Sequence, residues 1–135
     1  MELARRLGVA RGTAQARLNK LLDSGVVKLD VSLDMAAVGY PIAGFATLAI
    51  SQGSIGEVAG SLSEIPEVLE AHTVTGDGDV LVFLAAKSTD DLFYTIEQAL
   101  QSPAVQRTST SISLVQHVPR RIGPLVEKIG EQASG

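Results

Sequence analysis

Apolar residues recur along this chain with two different periods, and the switches between them divide it. Leu3, Ala4 and Leu7 fall at i, i+1 and i+4, one face of a short helix. Gly8 stands where such a helix would end in a left-handed cap, and Val9 would plug the turn. Ala14, Leu18, Leu21 and Leu22 follow at i, i+4, i+7 and i+8, the stripe of a second helix. Leu29, Val31 and Leu33 then alternate with Asp30, Ser32 and Asp34, a short strand pattern inside a connector. Beyond Pro41 the spacing predicts a strand at Ile42–Ser51, a helix at Ser54–Ile65, and strands at Val68–Thr75 and Val80–Lys87. A helix from Ser88 or Thr89 to about Leu100 and a long strand at Val105–Val118 complete the series.

Local signals sharpen these boundaries. Ser54 is expected as an N-cap, with Glu57 completing a capping box, and Pro66 ends that helix. Leu92, Phe93, Ile96, Ala99 and Leu100 form the inward stripe of the second body helix, which Ser102-Pro103 breaks. Between the middle strands lies Gly76-Asp77-Gly78-Asp79. Asp-Gly between strand residues predicts a type I′ hairpin, whose two central positions need positive φ. Pro119 and Pro124 bracket a turn, Leu125–Ile129 forms a short terminal helix, and Ala133-Ser134-Gly135 frays.

The order after Pro41 is β-α-β-β-α-β, the ferredoxin-like arrangement. Its helices cover one face of an antiparallel sheet, and the other face should be polar if the unit stands alone. Val80–Ala86 is instead apolar at both parities, as are Ala46, Leu48, Ala49 and Ile50. Several hundred Å² of such surface left in water would cost on the order of 10 kcal/mol. The terminal helix is too short to cover four strands, so a second copy is expected to seal the face.

Charge divides the chain in the same place. Residues 1–28 carry six Lys/Arg against Glu2 and Asp23, a net of +4; the rest carries five basic and thirteen acidic residues, a net of −8. A basic head suits a polyanion that the acidic body would repel. Residues 2–27 look like the last two helices of a helix-turn-helix, the unit that lays a helix in the DNA major groove. Arg11, Thr13, Gln15, Arg17, Asn19 and Lys20 face outward on the second helix and can reach phosphates and base edges. The plain alternative is two polar surface helices, with Arg17 paired to Asp23.

Other chemistry is sparse. The chain has no Cys, which excludes disulfides, thiolate metal sites and cysteine catalysis. Asp77 and Asp79 lack the further oxygens of a calcium loop, so no metal or other cofactor is expected. His72 and His117 stand apart from any nucleophile or carboxylate cluster, which argues against an enzyme. No apolar run approaches the roughly 20 residues of a membrane span, and the N-terminus is no signal peptide. The expectation is a cytoplasmic protein with no membrane partner.

With these residues in view, the chain resembles the Lrp/AsnC (feast/famine) transcriptional regulators over nearly its whole length. The head matches at Gly12–Leu21 and Ser24-Gly25-Val26-Val27. The body matches at Leu33-Asp34, Val38-Gly39-Tyr40, Ile65-Pro66-Glu67-Val68, His72–Asp79 and Arg107-Thr108-Ser109-Thr110. The Gly-Asp-x-Asp hairpin after a Thr-bearing strand is the most specific of these. The resemblance implies an α+β chain: a partial helix-turn-helix head (1–28), a connector (29–41), a ferredoxin-like RAM domain (42–118) and a tail (119–135). It implies double-stranded DNA as one partner and a small-molecule effector, typically an amino acid, as another. It also implies a homodimer that can assemble further into an octamer. The effector would meet Thr73, Thr75, Gly76, Asp77, Gly78, Asp79, Arg107, Thr108 and Thr110; for Arg107 the two readings are a pair with the effector carboxylate and a pair with a neighbouring Glu.

One departure stands out: the family places a full helix before the position of Glu2. Either the true start lies upstream of Met1, or the head is truncated and binds DNA poorly. The intact recognition helix favours the first. The rival functions are a stand-alone metabolite-binding subunit without DNA binding, or a small ferredoxin-like enzyme.

Overall fold

The computed structural model describes residues 2–135, which form two compact units, one ending at Leu33 and one spanning Asp34–Gly135. In the first, α1 (Glu2–Leu7) and α2 (Arg11–Asp23) pack together, and among the described residues this unit buries two side chains, Ala4 and Ala14. Gly8 at φ +64° ends α1, its amide donating to the Arg5 carbonyl while Val9 N–H donates to Ala4. Leu18 and Leu22 are half-buried, whereas Leu3, Leu7 and Leu21 are exposed. The strand expected at Leu29–Leu33 does not form: residues 28–34 have no ladder partner, and Leu29, Val31 and Leu33 are exposed. Alternation supplies a face, but a strand also needs a neighbour to accept its hydrogen bonds.

The second unit is the ferredoxin-like βαββαβ arrangement. Its elements are β1 (Ile42–Ile50), α3 (Ile55–Ser63), β2 (Val68–Thr73), β3 (Val80–Ala86), α4 (Thr89–Ala99), β4 (Val105–Ile112) and, beyond the motif, α5 (Gly123–Ala133). The strands pair antiparallel in the order β2-β3-β1-β4. Alternation sends Ala46, Leu48 and Ile50 of β1 and Val80, Val82, Leu84 and Ala86 of β3 into the core. There they pack with Val58, Leu62 and Ile65 around α3 and with Leu92, Ile96 and Ala99 of α4.

Several local expectations are corrected. Ser54 precedes α3 but makes no side-chain cap, and the Glu57 carboxylate accepts from Ser102 Oγ at 3.5 Å. The cap that does form is Ser88, whose Oγ accepts from Asp91 N–H at 3.1 Å while Asp91 accepts from Lys87 N–H at 3.0 Å. Phe93 and Leu100 point outward, and Thr95 takes an inward place with its hydroxyl donating to the Asp91 carbonyl. β4 ends at Ile112, not Val118, because Ser113 N–H makes the last bond to the sheet, at Ala43. The terminal helix is longer than expected and buries none of its side chains.

Helices α3 and α4 occupy one face of the sheet. The other presents Phe45, Thr47 and Ala49 of β1, Leu81 and Phe83 of β3, Glu70 and His72 of β2, and Arg107, Ser109 and Ser111 of β4. Phe45 and Phe83 stack at its centre, ring centroids 5.0 Å apart. No helix among the described residues is long and apolar enough to cross a membrane.

Candidate functional site

In the body, the sequence concentrates chemistry at the β2–β3 connection, and the structure builds it differently from a two-residue turn. β2 ends at Thr73, so residues 74–79 form a loop closed by Val74 N–H donating to the Asp79 carbonyl at 2.9 Å. Gly76 alone in this loop has positive φ, at +117°, which rules out the expected type I′ turn over Asp77-Gly78. Gly78 is glycine for lack of room: a Cβ there would overlap Thr47 Cγ2 and lie 3.2 Å from the Leu48 carbonyl. Asp79 ties the loop to β1. Its amide donates to the Leu48 carbonyl at 2.8 Å, and its carboxylate accepts from Ile50 N–H at 2.7 Å.

On the sheet face that carries no helix, this loop overhangs a hollow of about 530 Å³ lined by Thr47, Ala49, Asp77, Arg107, Thr108 and Ser109. The Arg107 guanidinium donates to the Asp77 carbonyl at 3.0 Å, pinning the loop to β4 and leaving further N–H donors unused. The Thr108 hydroxyl is buried without a hydrogen-bond partner. A site of this kind offers one cation, the hydroxyls of Thr47 and Ser109 and a small apolar floor at Ala49, which suits a small molecule bearing a carboxylate.

Of the expected effector residues, the structure gathers Asp77, Arg107 and Thr108. Gly78 and Asp79 shape the loop from behind, through Thr47 and Ile50. Gly76 makes the bend. Thr73 and Thr75 lie on the exposed β2 side, and Thr110 pairs with Ala46, none of them lining the hollow. Thr47, Ala49 and Ser109 were missed. Strand parity was the available signal: Arg107 and Ser109 share a face with Ala49 and Thr47, opposite Thr108 and Thr110.

At the outer edge of that face, His72 Nε2 lies 3.0 Å from a Glu70 oxygen and Arg120 lies 3.6 Å from the other. The hydrogen bond from His72, with help from the Arg120 charge, holds the Glu70 carboxyl below its ordinary range. Among the described residues, His, Asp and Glu form no group that could hold a metal ion.

In the head, Arg11, Thr13, Gln15, Arg17, Asn19 and Lys20 are all exposed on α2. Gln15 Nε2 donates to Asn19 Oδ1 at 2.9 Å, one turn along the same face. Among the described residues, Arg11, Arg17 and Lys20 make no ion pair, so the alternative Arg17–Asp23 bridge is not formed. Arg5 and Arg6 are both drawn to Glu2, at 2.6 and 2.9 Å. Three cations on one helix with no acidic partner suit a phosphate backbone.

Comparison with known proteins agrees with both descriptions. Residues 2–28 match winged helix-turn-helix DNA-binding domains, and residues 44–122 match the Lrp/AsnC ligand binding domain. The chain is 32% identical over 117 residues to the HTH-type transcriptional regulator FL11 of Pyrococcus horikoshii, covering 86% of this chain and 78% of that one. Escherichia coli AsnC superposes with a TM-score of 0.81 at 25% identity, over 90% of this chain and 83% of its own. A Neisseria meningitidis transcriptional regulator, solved with L-Met, shares the fold at a TM-score of 0.83 and 23% identity, over 92% and 85% of the two chains. FL11 and the Neisseria protein are transcriptional regulators. With a DNA-binding head followed by a ligand-binding body, this chain belongs to the Lrp/AsnC family of helix-turn-helix transcriptional regulators.

Proposed function

We propose that the protein regulates transcription as a homo-oligomer whose bodies associate through the helix-free sheet face, and that an amino acid bound at the Asp77–Arg107 hollow shifts its DNA affinity. The observation that carries this reading is the position of the hollow. It opens on the same helix-free face that association would cover, so occupancy and assembly are coupled through shared residues. Arg107 would take the effector carboxylate, with Thr47 and Ser109 supplying hydroxyls and the Asp77 loop closing one wall. The L-Met bound by the Neisseria regulator supports an amino-acid effector here.

DNA would be met by Arg11, Arg17 and Lys20 at phosphates and by Thr13, Gln15 and Asn19 at base edges. The test combines thermal stabilisation by a panel of amino acids with retention on duplex DNA across a salt series. One amino acid should stabilise the chain and lose its effect in Arg107→Ala. Affinity for DNA should fall steeply with salt, and Arg17→Ala should lower that slope by about one. Absence of DNA retention at low salt would sink the regulatory reading. Exposure of Leu3, Leu7 and Leu21 favours a second reading, a body that binds its metabolite while the head binds no DNA. Stabilisation by an amino acid without retention would select it.

A further inference from the structure

The C-terminal segment presents a physical problem. From Leu114 to Gly135 every residue is exposed, although the stretch holds Leu114, Val115, Val118, Ile122, Leu125, Val126 and Ile129. Ile122, Leu125, Val126 and Ile129 fall at i, i+3, i+4 and i+7, a single apolar stripe. Helices shorter than roughly 12–15 residues are marginal in isolation even when rich in alanine. α5 is further handicapped: Gly130 lies inside it, Glu127 and Glu131 repel at i, i+4, and no side chain caps its start. It needs a surface to lie on, and the core of its own body is already closed by α3 and α4.

The path of the segment indicates which surface. It leaves the sheet at the β4 edge, where Ser113 bonds Ala43, and reaches the opposite edge, where Arg120 meets Glu70 of β2. It therefore passes from one edge of the sheet to the other and meets the open face at Glu70. Area decides the rest. The open face offers little apolar area: Phe45, at 42% exposure, and the half-buried Leu81, Phe83 and Ala49 stand among Thr47, Glu70, His72, Arg107, Ser109 and Ser111. The seven arm side chains, 55–91% exposed, add apolar area on the order of 700 Å², comparable by itself with the roughly 800 Å² per partner of a stable interface.

We infer that residues 114–133 form an arm that embraces a second copy of this chain, with α5 ordered only against that copy. The chain supplies both halves of the contact, an apolar stripe without a groove and an open sheet without a cover. That is the requirement for a self-complementary, two-fold interface. The inference rests on the proposed association of bodies and adds to it that the sheet face alone does not hold the pair.

Hydrogen exchange of the α5 amides in the full chain, read beside sedimentation equilibrium over a dilution series, tests it. The α5 amides should be protected where the chain is dimeric and lose protection in step with dissociation. The full-length double variant Leu125→Glu, Ile129→Glu should weaken self-association at least tenfold while leaving body-core amides protected. A dimer whose α5 amides exchange freely, or whose affinity the double variant leaves intact, overturns the arm and spares the sheet contact. Protection that persists undiminished in the monomer places α5 on its own chain and overturns the arm likewise. A chain monomeric at every concentration overturns both readings.

Discussion

Among the described residues, those up to Leu33 bury two alanines, whereas residues 34–135 bury a continuous core of leucine, valine, isoleucine and alanine from β1, β3, α3 and α4, with Val68 of β2 and Val105 of β4 packed partly buried against it. The head has two helices for one interface. The body has a sheet whose every core side chain is flanked by others. Burial of apolar area is the main source of stability, so the body holds its own shape and the head depends on more than its own contacts. The surfaces differ in the same sense. Among the described residues, the head leaves Arg11, Arg17 and Lys20 of α2 without an acidic partner, and the body leaves Phe45, Leu81 and Phe83 at the centre of a sheet face that carries no helix.

The largest way to expose this contrast is truncation of one leucine in each unit. Leu48 of β1 is 1% exposed and sits among Val58, Val80, Val82 and Leu62. Leu48→Ala should destabilise the body by about 2–5 kcal/mol in urea unfolding, through lost transfer energy and a residual cavity. Leu18→Ala, at the half-buried centre of α2, should cost well under half as much by the same probe. Equal costs would show that the head shares the body's core and would dissolve the contrast.

The next effect lies where the body's core meets its site. Gly78→Ala would drive a methyl group into Thr47 Cγ2 and towards the Leu48 carbonyl. A cost of about 1–3 kcal/mol is expected from overpacking, with weaker effector stabilisation because the Asp77 wall moves. Thr47→Ser removes the offending methyl, so the double variant should recover part of the loss. An additive double variant would exclude the Thr47 clash as the cause.

The two helix caps of the body are a smaller comparison. Ser88→Ala removes a hydroxyl that accepts from Asp91 N–H and should cost about 1 kcal/mol. Ser54→Ala removes a hydroxyl with no cap bond and should be near neutral. The same Ser-x-x-acid pattern marks both helix starts, so sequence alone could not separate them. What separates them is the backbone at the cap: Ser88 is extended, at φ −151° and ψ 171°, as an N-cap requires, whereas Ser54 lies at φ −102° and ψ 6°.

That pair shows where legibility stopped. The βαββαβ order was readable because period-2 and period-3.6 segments alternate cleanly after Pro41. The core followed from it, since Val80, Val82 and Leu84 have one parity and α3 and α4 one stripe each. The loop at Gly76–Asp79 was located correctly but given the wrong turn, because Asp79 is held by Leu48 and Ile50, about 30 positions away in the chain. Thr110 was grouped with Arg107 by proximity in sequence, although it lies three positions along the strand and faces the other way. The alternation at Leu29–Leu33 was real, yet the structure gives it no neighbouring strand.

The smallest effect returns to the head. Glu2 lies in the first turn of α1, where a negative charge also complements the helix dipole. Hydrogen bonds from Arg5 and then Arg6 hold its carboxyl below the ordinary range. A carboxylate whose pKa is lowered by folding adds stability above its unfolded pKa and loses it as pH falls through the folded value. The helical chemical shifts of Ala4–Leu7 should therefore weaken as pH drops from about 6 to about 3, below the usual carboxylate range. In Glu2→Gln that acid-side weakening should vanish, and Arg5 and Arg6 should be released at every pH. The release should raise DNA affinity slightly at low salt, the opposite sign to Arg17→Ala, while Val82 and Leu84 signals in the body stay unchanged. If Glu2→Gln lowers DNA affinity, the two arginines serve α1 and not the polyanion, and the cationic face of the head contracts to α2.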